Sequence, residues 1–277
     1  MGMRVSTNIA SINAQKSMAG SQREIGKSFA QLASGSRITK AADDAAGLSI
    51  SETFKSTIRG YTQAQRNAND GISMVQVAEG GLGEISNILT RMRELGVQAA
   101  SDTVGDVERG FIDKEVQQLK LEAERIAQTT RFGKTAMLNG EGPRFEFQVD
   151  INNNDFNDRI GFEPGEIKAT TAELGIDSFN FGDKHDARAA LEILEDSQRT
   201  VNGYRATLGA IQNRLVSTTE NLGVSIENFS AANSRIRDAD IAQSSSELSR
   251  NNILLNTSVG VLAQANTQPM SALKLIG

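Results

Sequence analysis

The 277-residue chain has no cysteine and no tryptophan, one histidine, two tyrosines and three prolines. The missing cysteines exclude disulfides and thiolate metal sites. The lone histidine, His185, has no second histidine beside it and sits in a polar stretch, so it is expected at the surface rather than as a ligand or general base. Pro143 and Pro164 fall mid-chain and Pro269 near the end, which frees long runs of both halves from the strongest helix breaker. No apolar run approaches the roughly 20 residues of a membrane helix, and the opening residues hold no continuous apolar signal core. Membrane insertion is not expected, and export, if it occurs, should use a route that reads no conventional signal peptide.

The net charge of −5 is unevenly spread: residues 1–42 hold six Lys or Arg against one Glu, residues 236–277 balance, and the stretch between carries −10. The basic start lacks a dense patch or interleaved aromatics, which argues against nucleic acid; its expected complement is an acidic region of a neighbouring subunit. GxSxG, Walker, Rossmann and HExxH patterns are missing, so no catalytic, cofactor-binding or metal-binding residue is expected. The adjacent Asp43 and Asp44 read as a helix start. The run Asp150, Asn152, Asn154 opens like a calcium loop but fails its spacing, with Asp155 at the required glycine and Gly161 at the closing glutamate.

What the chain does have is helical period. From Asp43 to Ala99, positions alternating by three and four read Ile50, Phe54, Thr57, Tyr61, Ala64, Ala68, Gly71, Val75, Ala78, Leu82, Ile85, Leu89, Met92, Gly96 and Ala99. A stripe sustained this long is a coiled-coil-like seam. One long helix is expected here, although glycines at 60, 71, 80, 81 and 83 each cost about 1 kcal/mol of helix propensity and weaken the case for its being uninterrupted. A returning helix follows with Ile112, Val116, Leu119, Ala123 and Ile126. Residues 145–151 then alternate as a strand, with shorter neighbours at Ile160–Phe162 and Ile167–Ala169 around Pro164-Gly165. A second long seam runs through Val201, Leu208, Ile211, Leu215, Leu222 and Phe229. The ends hold weaker apolar helices, one over about 5–33, the other containing Leu255 and Leu262, with Pro269 ending it or standing just beyond it.

The expected fold is therefore mainly α: a long antiparallel coiled-coil-like helical rod, a small antiparallel β-hairpin region, and paired N- and C-terminal helices. Segments 1–42 and 236–277 are expected as terminal helices, 43–183 as the N-terminal rod helices with the β region, and 184–235 as the C-terminal rod helix. Neither terminal stripe can bury itself alone, and ordering costs roughly 1–2 kcal/mol per residue of backbone. Repeated heterologous association of many copies would supply that burial. The expected polymerisation seam comprises Val5, Ile9, Ile12, Val75, Leu82, Ile85, Leu89, Leu208, Ile211, Leu215, Leu222, Phe229, Leu255 and Leu262.

Several stretches resemble bacterial flagellins: SGSRITKAADDAAGLSI at 34–50, RNANDGIS at 66–73, RMRELGVQAA at 91–100 and TTRFGKTAMLNG at 129–140. LGAIQNR at 208–214, SRIRDADIA at 234–242 and TSVGVLAQAN at 257–266 extend the match through the second half. The resemblance implies an extracellular subunit of the flagellar filament, in a short form without variable outer domains. It implies terminal helices forming an inner tube, export through the flagellar type III apparatus, and as partners further copies, an export chaperone, a cap protein and the hook-filament junction protein. A hook-filament junction protein and a non-flagellar secreted coiled-coil protein are the alternative readings. It also implies a possible contact of released monomer with an animal Toll-like receptor through Arg91, Glu94, Leu95 and Glu115.

Overall fold

The computed structural model describes residues 7–273, with side chains through residue 268. Helices α1 (Ile9–Ser34), α2 (Ala45–Ala99), α3 (Asp106–Thr129), α4 (Lys184–Arg237) and α5 (Ile241–Leu273) follow in chain order. Between α3 and α4 lie strands β1 (Arg131–Phe132), β2 (Thr135–Ala136), β3 (Phe145–Gln148) and β4 (Arg159–Phe162). Two compact units result: Met1–Thr57 with Asn228–Gly277, and Ile58–Glu227.

The helix ends follow their residues. Asn8 caps α1 by accepting the Ser11 N–H at 3.1 Å, and Gly35 ends it at φ 68°, a left-handed geometry that favours glycine. Of the two adjacent carboxylates, Asp44 caps α2 by accepting the Gly47 N–H at 2.8 Å. Asp43 folds the preceding loop instead, and the Lys40 N–H with the Thr39 hydroxyl and N–H holds its carboxyl below the usual range. Asp240 caps α5 through the N–H groups of Ala242 and Gln243.

In the unit Ile58–Glu227, Val75, Leu82, Ile85, Leu89 and Met92 of α2 share a fully buried core with Val116 of α3 and Leu194, Val201, Leu208 and Leu215 of α4. Polar side chains border the α2–α4 seam: Gln198 donates to Ser86 at 2.7 Å, Gln65 to the Thr219 carbonyl at 3.4 Å, and Arg93 pairs with Glu195 at 3.5 Å. β3 and β4 pair antiparallel, with Phe145 opposite Phe162 and Phe147 opposite Ile160.

As the long seam leads one to expect, α2 is a single helix, and it runs unbroken through the glycines that weaken that expectation. Tertiary contacts outweigh propensity there. A Cβ at Gly71 would sit 3.1 Å from the Phe147 ring, and one at Gly81 would lie 2.7 Å from both Leu138 and Thr130. Gly80 meets nothing within 4 Å. The two neighbours should therefore respond with opposite signs. Gly80→Ala is expected to raise stability by about 0.5–1 kcal/mol through helix propensity. Gly81→Ala gains the same term but must displace the fully buried Leu138, an overpacking cost of about 1–3 kcal/mol. Thermal unfolding of the two monomeric variants reads the difference as Tm shifts in opposite directions.

The irregular segment 170–181 is held by charged side chains of α3. Asp113 accepts the Phe181 N–H at 2.8 Å. The buried Lys120 donates to the Asp177 and Phe179 carbonyls, its ammonium 4.1 Å from the Phe179 ring centre, and burial pushes its pKa down. Glu124 accepts both the N–H and the hydroxyl of Thr171; burial would raise its pKa, but hydrogen bonds from Gln128 and Thr171 outweigh that and keep it low. Arg109, also buried, donates to the Ala99 and Ser101 carbonyls and closes the turn between α2 and α3.

Two expectations are corrected, and one element is new. Ile167–Ala169 is not a strand but a single bridge, Lys168 opposite Asn139, because Pro164–Glu166 forms a 3-10 turn that aims the chain away from β4. The short β1–β2 hairpin was not expected at all. α5 continues past Pro269 to Leu273, and the Ala265 carbonyl, which Pro269 has no N–H to satisfy, accepts from the Asn8 side chain instead.

Candidate functional site

In the unit Met1–Thr57 with Asn228–Gly277, α1 packs against α5 with its small and polar side chains inward. The buried residues are Ser11, Ala14 and Ser28 of α1 and Ser244 and Ala265 of α5. Asn8 donates to the Ala265 carbonyl at 2.8 Å, and the Ser11 hydroxyl to Asn266 Oδ1 at 3.0 Å. Many large apolar residues point out: Ile12 is 54% exposed, Phe29 66% and Ile253 66%, with Ile9, Ile241, Leu254, Val259 and Val261 also exposed, while Ile25, Leu32, Leu248, Leu255 and Leu262 are half-buried. This inverts the usual arrangement, in which bulky side chains fill the space between helices. Small residues bring the two backbones close, and the apolar surface left outside is available for burial against another molecule.

Where α1 and α5 meet the rest of this unit, the joints are polar. Arg37 donates its N–H to the Arg237 carbonyl at 2.6 Å and its guanidinium to the Ile236 carbonyl at 2.7 Å, and the Ala239 N–H reaches the Gly35 carbonyl at 2.9 Å. Phe54 meets Phe229 edge to face at 5.5 Å, and the fully buried Ser51 hydroxyl donates to Asn233 at 2.8 Å.

The seam residues divide by exposure. Val5 lies outside the described residues. Ile9 and Ile12 are exposed, and Ile211, Phe229, Leu255 and Leu262 are half-buried. Val75, Leu82, Ile85, Leu89, Leu208, Leu215 and Leu222 are already buried within a single chain. A neighbour cannot touch these seven; their burial holds together the helices that carry the exposed faces. Sequence period marks a stripe but not whether the chain itself covers it.

Arg91, Glu94 and Glu115 form one exposed cluster: Arg91 donates to Glu115 at 2.9 and 3.0 Å and to Glu94 at 3.0 Å. Both carboxylates raise the Arg91 pKa, Glu115 more than Glu94. Leu95 is 2% exposed and belongs to the core beneath them.

His185 is exposed on the first turn of α4. Beside the loop 150–158, Arg159 donates to Asn153 and Asp155 at 2.6 Å and to Gln148 at 3.2 Å, while the Asp150 and Asn154 side chains accept from backbone N–H groups of the loop. An open groove of about 370 Å³ between this loop and α4 is walled by Val149, Asn157, Asn213, Ser217 and Thr218. Among the described residues no three His, Asp or Glu side chains converge to hold a metal ion, and no helix is long and apolar enough to cross a membrane.

The family described as the bacterial flagellin N-terminal helical region matches residues 5–142, and the bacterial flagellin C-terminal helical region matches residues 191–276. The chain is 38% identical over 274 residues to the flagellin of Halalkalibacterium halodurans, covering 99% of this chain and 100% of that protein. It is 37% identical over 303 residues to the flagellin of Bacillus subtilis, covering 99% and 100%. Among solved structures, Bacillus cereus flagellin is 32% identical with a TM-score of 0.50, covering 57% of this chain and 88% of that one. The chain belongs to the bacterial flagellin family and is a structural, non-catalytic subunit of the extracellular flagellar filament that serves motility.

Proposed function

We propose that the α1–α5 pair is the part of this subunit that polymerisation completes, and that Ile9, Ile12, Leu255 and Leu262 belong to the contact. The observation that carries this reading is the inverted packing, with serine and alanine buried between the helices and isoleucine, phenylalanine and valine outside. Burial against neighbouring copies at roughly 25 cal/mol per Å² of apolar surface is the driving term. The segments 1–42 and 236–277 then form an inner layer, while 43–183 and 184–235 supply the rod layer around it. The buried seam residues act indirectly, by fixing the shape of the subunit that neighbours meet.

We infer export through the flagellar type III apparatus, with a chaperone, a cap protein and the junction protein as partners; membership in the family supports this reading, and the absence of cysteine suits a chain that must travel unfolded. Recognition of released monomer by an animal Toll-like receptor is a second reading, favoured by the exposed Arg91–Glu94–Glu115 cluster. Leu95 would support that surface from beneath.

Amide hydrogen exchange tests the main reading. In the monomer, the N–H groups of α1 and α5 are expected to exchange orders of magnitude faster than those of α2 and α4 at the buried seam. Polymer should slow them to the rate of the seam. Equal protection of α1 and α5 in both states would refute the coupling between their order and assembly.

A further inference from the structure

We propose that α1 of one copy docks on the α4 surface carrying Glu220 and Glu227 of a second copy, through matched charges seven residues apart. On α1, Lys16, Arg23 and Lys27 are exposed, and among the described residues none forms an ion pair. Seven residues are nearly two helical turns, so Lys16 and Arg23 share a face, and Lys27, four further on, continues it. The exposed Ile9 and Ile12 extend that face toward the N-terminus. Gly20, between the cations, has nothing within 4 Å of where a Cβ would stand, so a partner helix can come close.

α4 carries the complement. Glu220 and Glu227 are exposed, also seven apart, and also without an ion pair among the described residues. Val216 and Val224, 38% and 59% exposed, flank them on the same side of the helix. The α4 stripe thus alternates an exposed aliphatic side chain with a carboxylate, the α1 stripe sets two isoleucines ahead of its cations, and the charges, of opposite sign on the two helices, share the seven-residue period by which coiled-coil flanks choose their partners. Among the described residues of one chain Lys16, Arg23, Glu220 and Glu227 form no ion pair, while Lys27 lies near enough to Asp43 to help hold its carboxyl low. A second copy presents both stripes, and a contact between two different faces is heterologous, the kind that propagates into an open filament. The cations of residues 1–42 and the acidic middle of the chain, which leave a net −5, then have a shared purpose.

This rests on the reading of the protein as self-assembling, and charge exchange separates the two. The full-length chain and its variants are seeded with filament fragments, and polymer is measured by sedimentation. Lys16→Glu with Arg23→Glu is expected to raise the critical concentration at least tenfold, as is Glu220→Lys with Glu227→Lys. All four changes in one chain should restore it to within about threefold of the unmodified protein. The changed side chains are exposed and unpaired, so circular dichroism and Tm of each monomer should stay as before and show that loss is not misfolding. If the unmodified chain polymerises while the Glu220/Glu227 variant does so equally well, or if the fourfold variant is no better than its parents, the docking is overturned and self-assembly stands. If the unmodified chain fails to extend the seeds, the assembly reading itself falls.

Discussion

A chain carrying Ile12→Asp and Ile253→Asp is expected to fold normally and to remain monomeric. Both side chains are more than half exposed and neither belongs to the buried core, so each change should alter monomer stability by no more than about 0.5 kcal/mol. In the polymer the same positions lose burial worth about 1.5–3 kcal/mol for a full isoleucine and gain a carboxylate that must be desolvated. With every 1.4 kcal/mol a factor of ten in the equilibrium, the critical concentration should rise at least a hundredfold. Sedimentation after seeding measures it, with Tm as the folding control. Filaments of ordinary length from this variant would show that the outward apolar face of the α1–α5 pair is not where copies meet.

The helices of this protein were legible because period three-four is a local signal: Val75, Leu82 and Leu89 repeat on one face whatever surrounds them. The caps were legible too, since Asp44 and Gly35 act within a turn of themselves. The role of the glycines in α2 was not, because the contacts at them come from residues distant in sequence, such as Phe147 at Gly71 and Leu138 at Gly81. Nor was the hold of α3 on segment 170–181. Asp113, Lys120 and Glu124 look like solvated charges on an amphipathic helix, and only the fold shows that they answer backbone groups of a segment with few partners of its own. At the site, the list of apolar residues was readable while their division was not. Whether an isoleucine lies inside the chain or waits for a neighbour depends on how small the residues opposite are, and Ser11 with Ala265 places Ile12 outside.

That division predicts the opposite phenotype for Leu82→Ala. Leu82 is fully buried among Val75, Ile85 and Val201, so the change removes transfer energy and leaves a cavity in a core that relaxes only partly. A loss of about 3 kcal/mol is expected, which for a unit of this size lowers Tm by roughly 6–12 °C. Assembly should survive at temperatures where the monomer remains folded, because Leu82 offers no surface to a neighbour. Paired measurements of Tm and of critical concentration well below Tm distinguish the roles: the Ile12/Ile253 variant moves the second alone, and Leu82→Ala the first. A Leu82→Ala chain that keeps its Tm but cannot extend seeds would mean that this part of the seam opens to meet a second copy, and that the burial seen in one chain is exchanged for burial between chains.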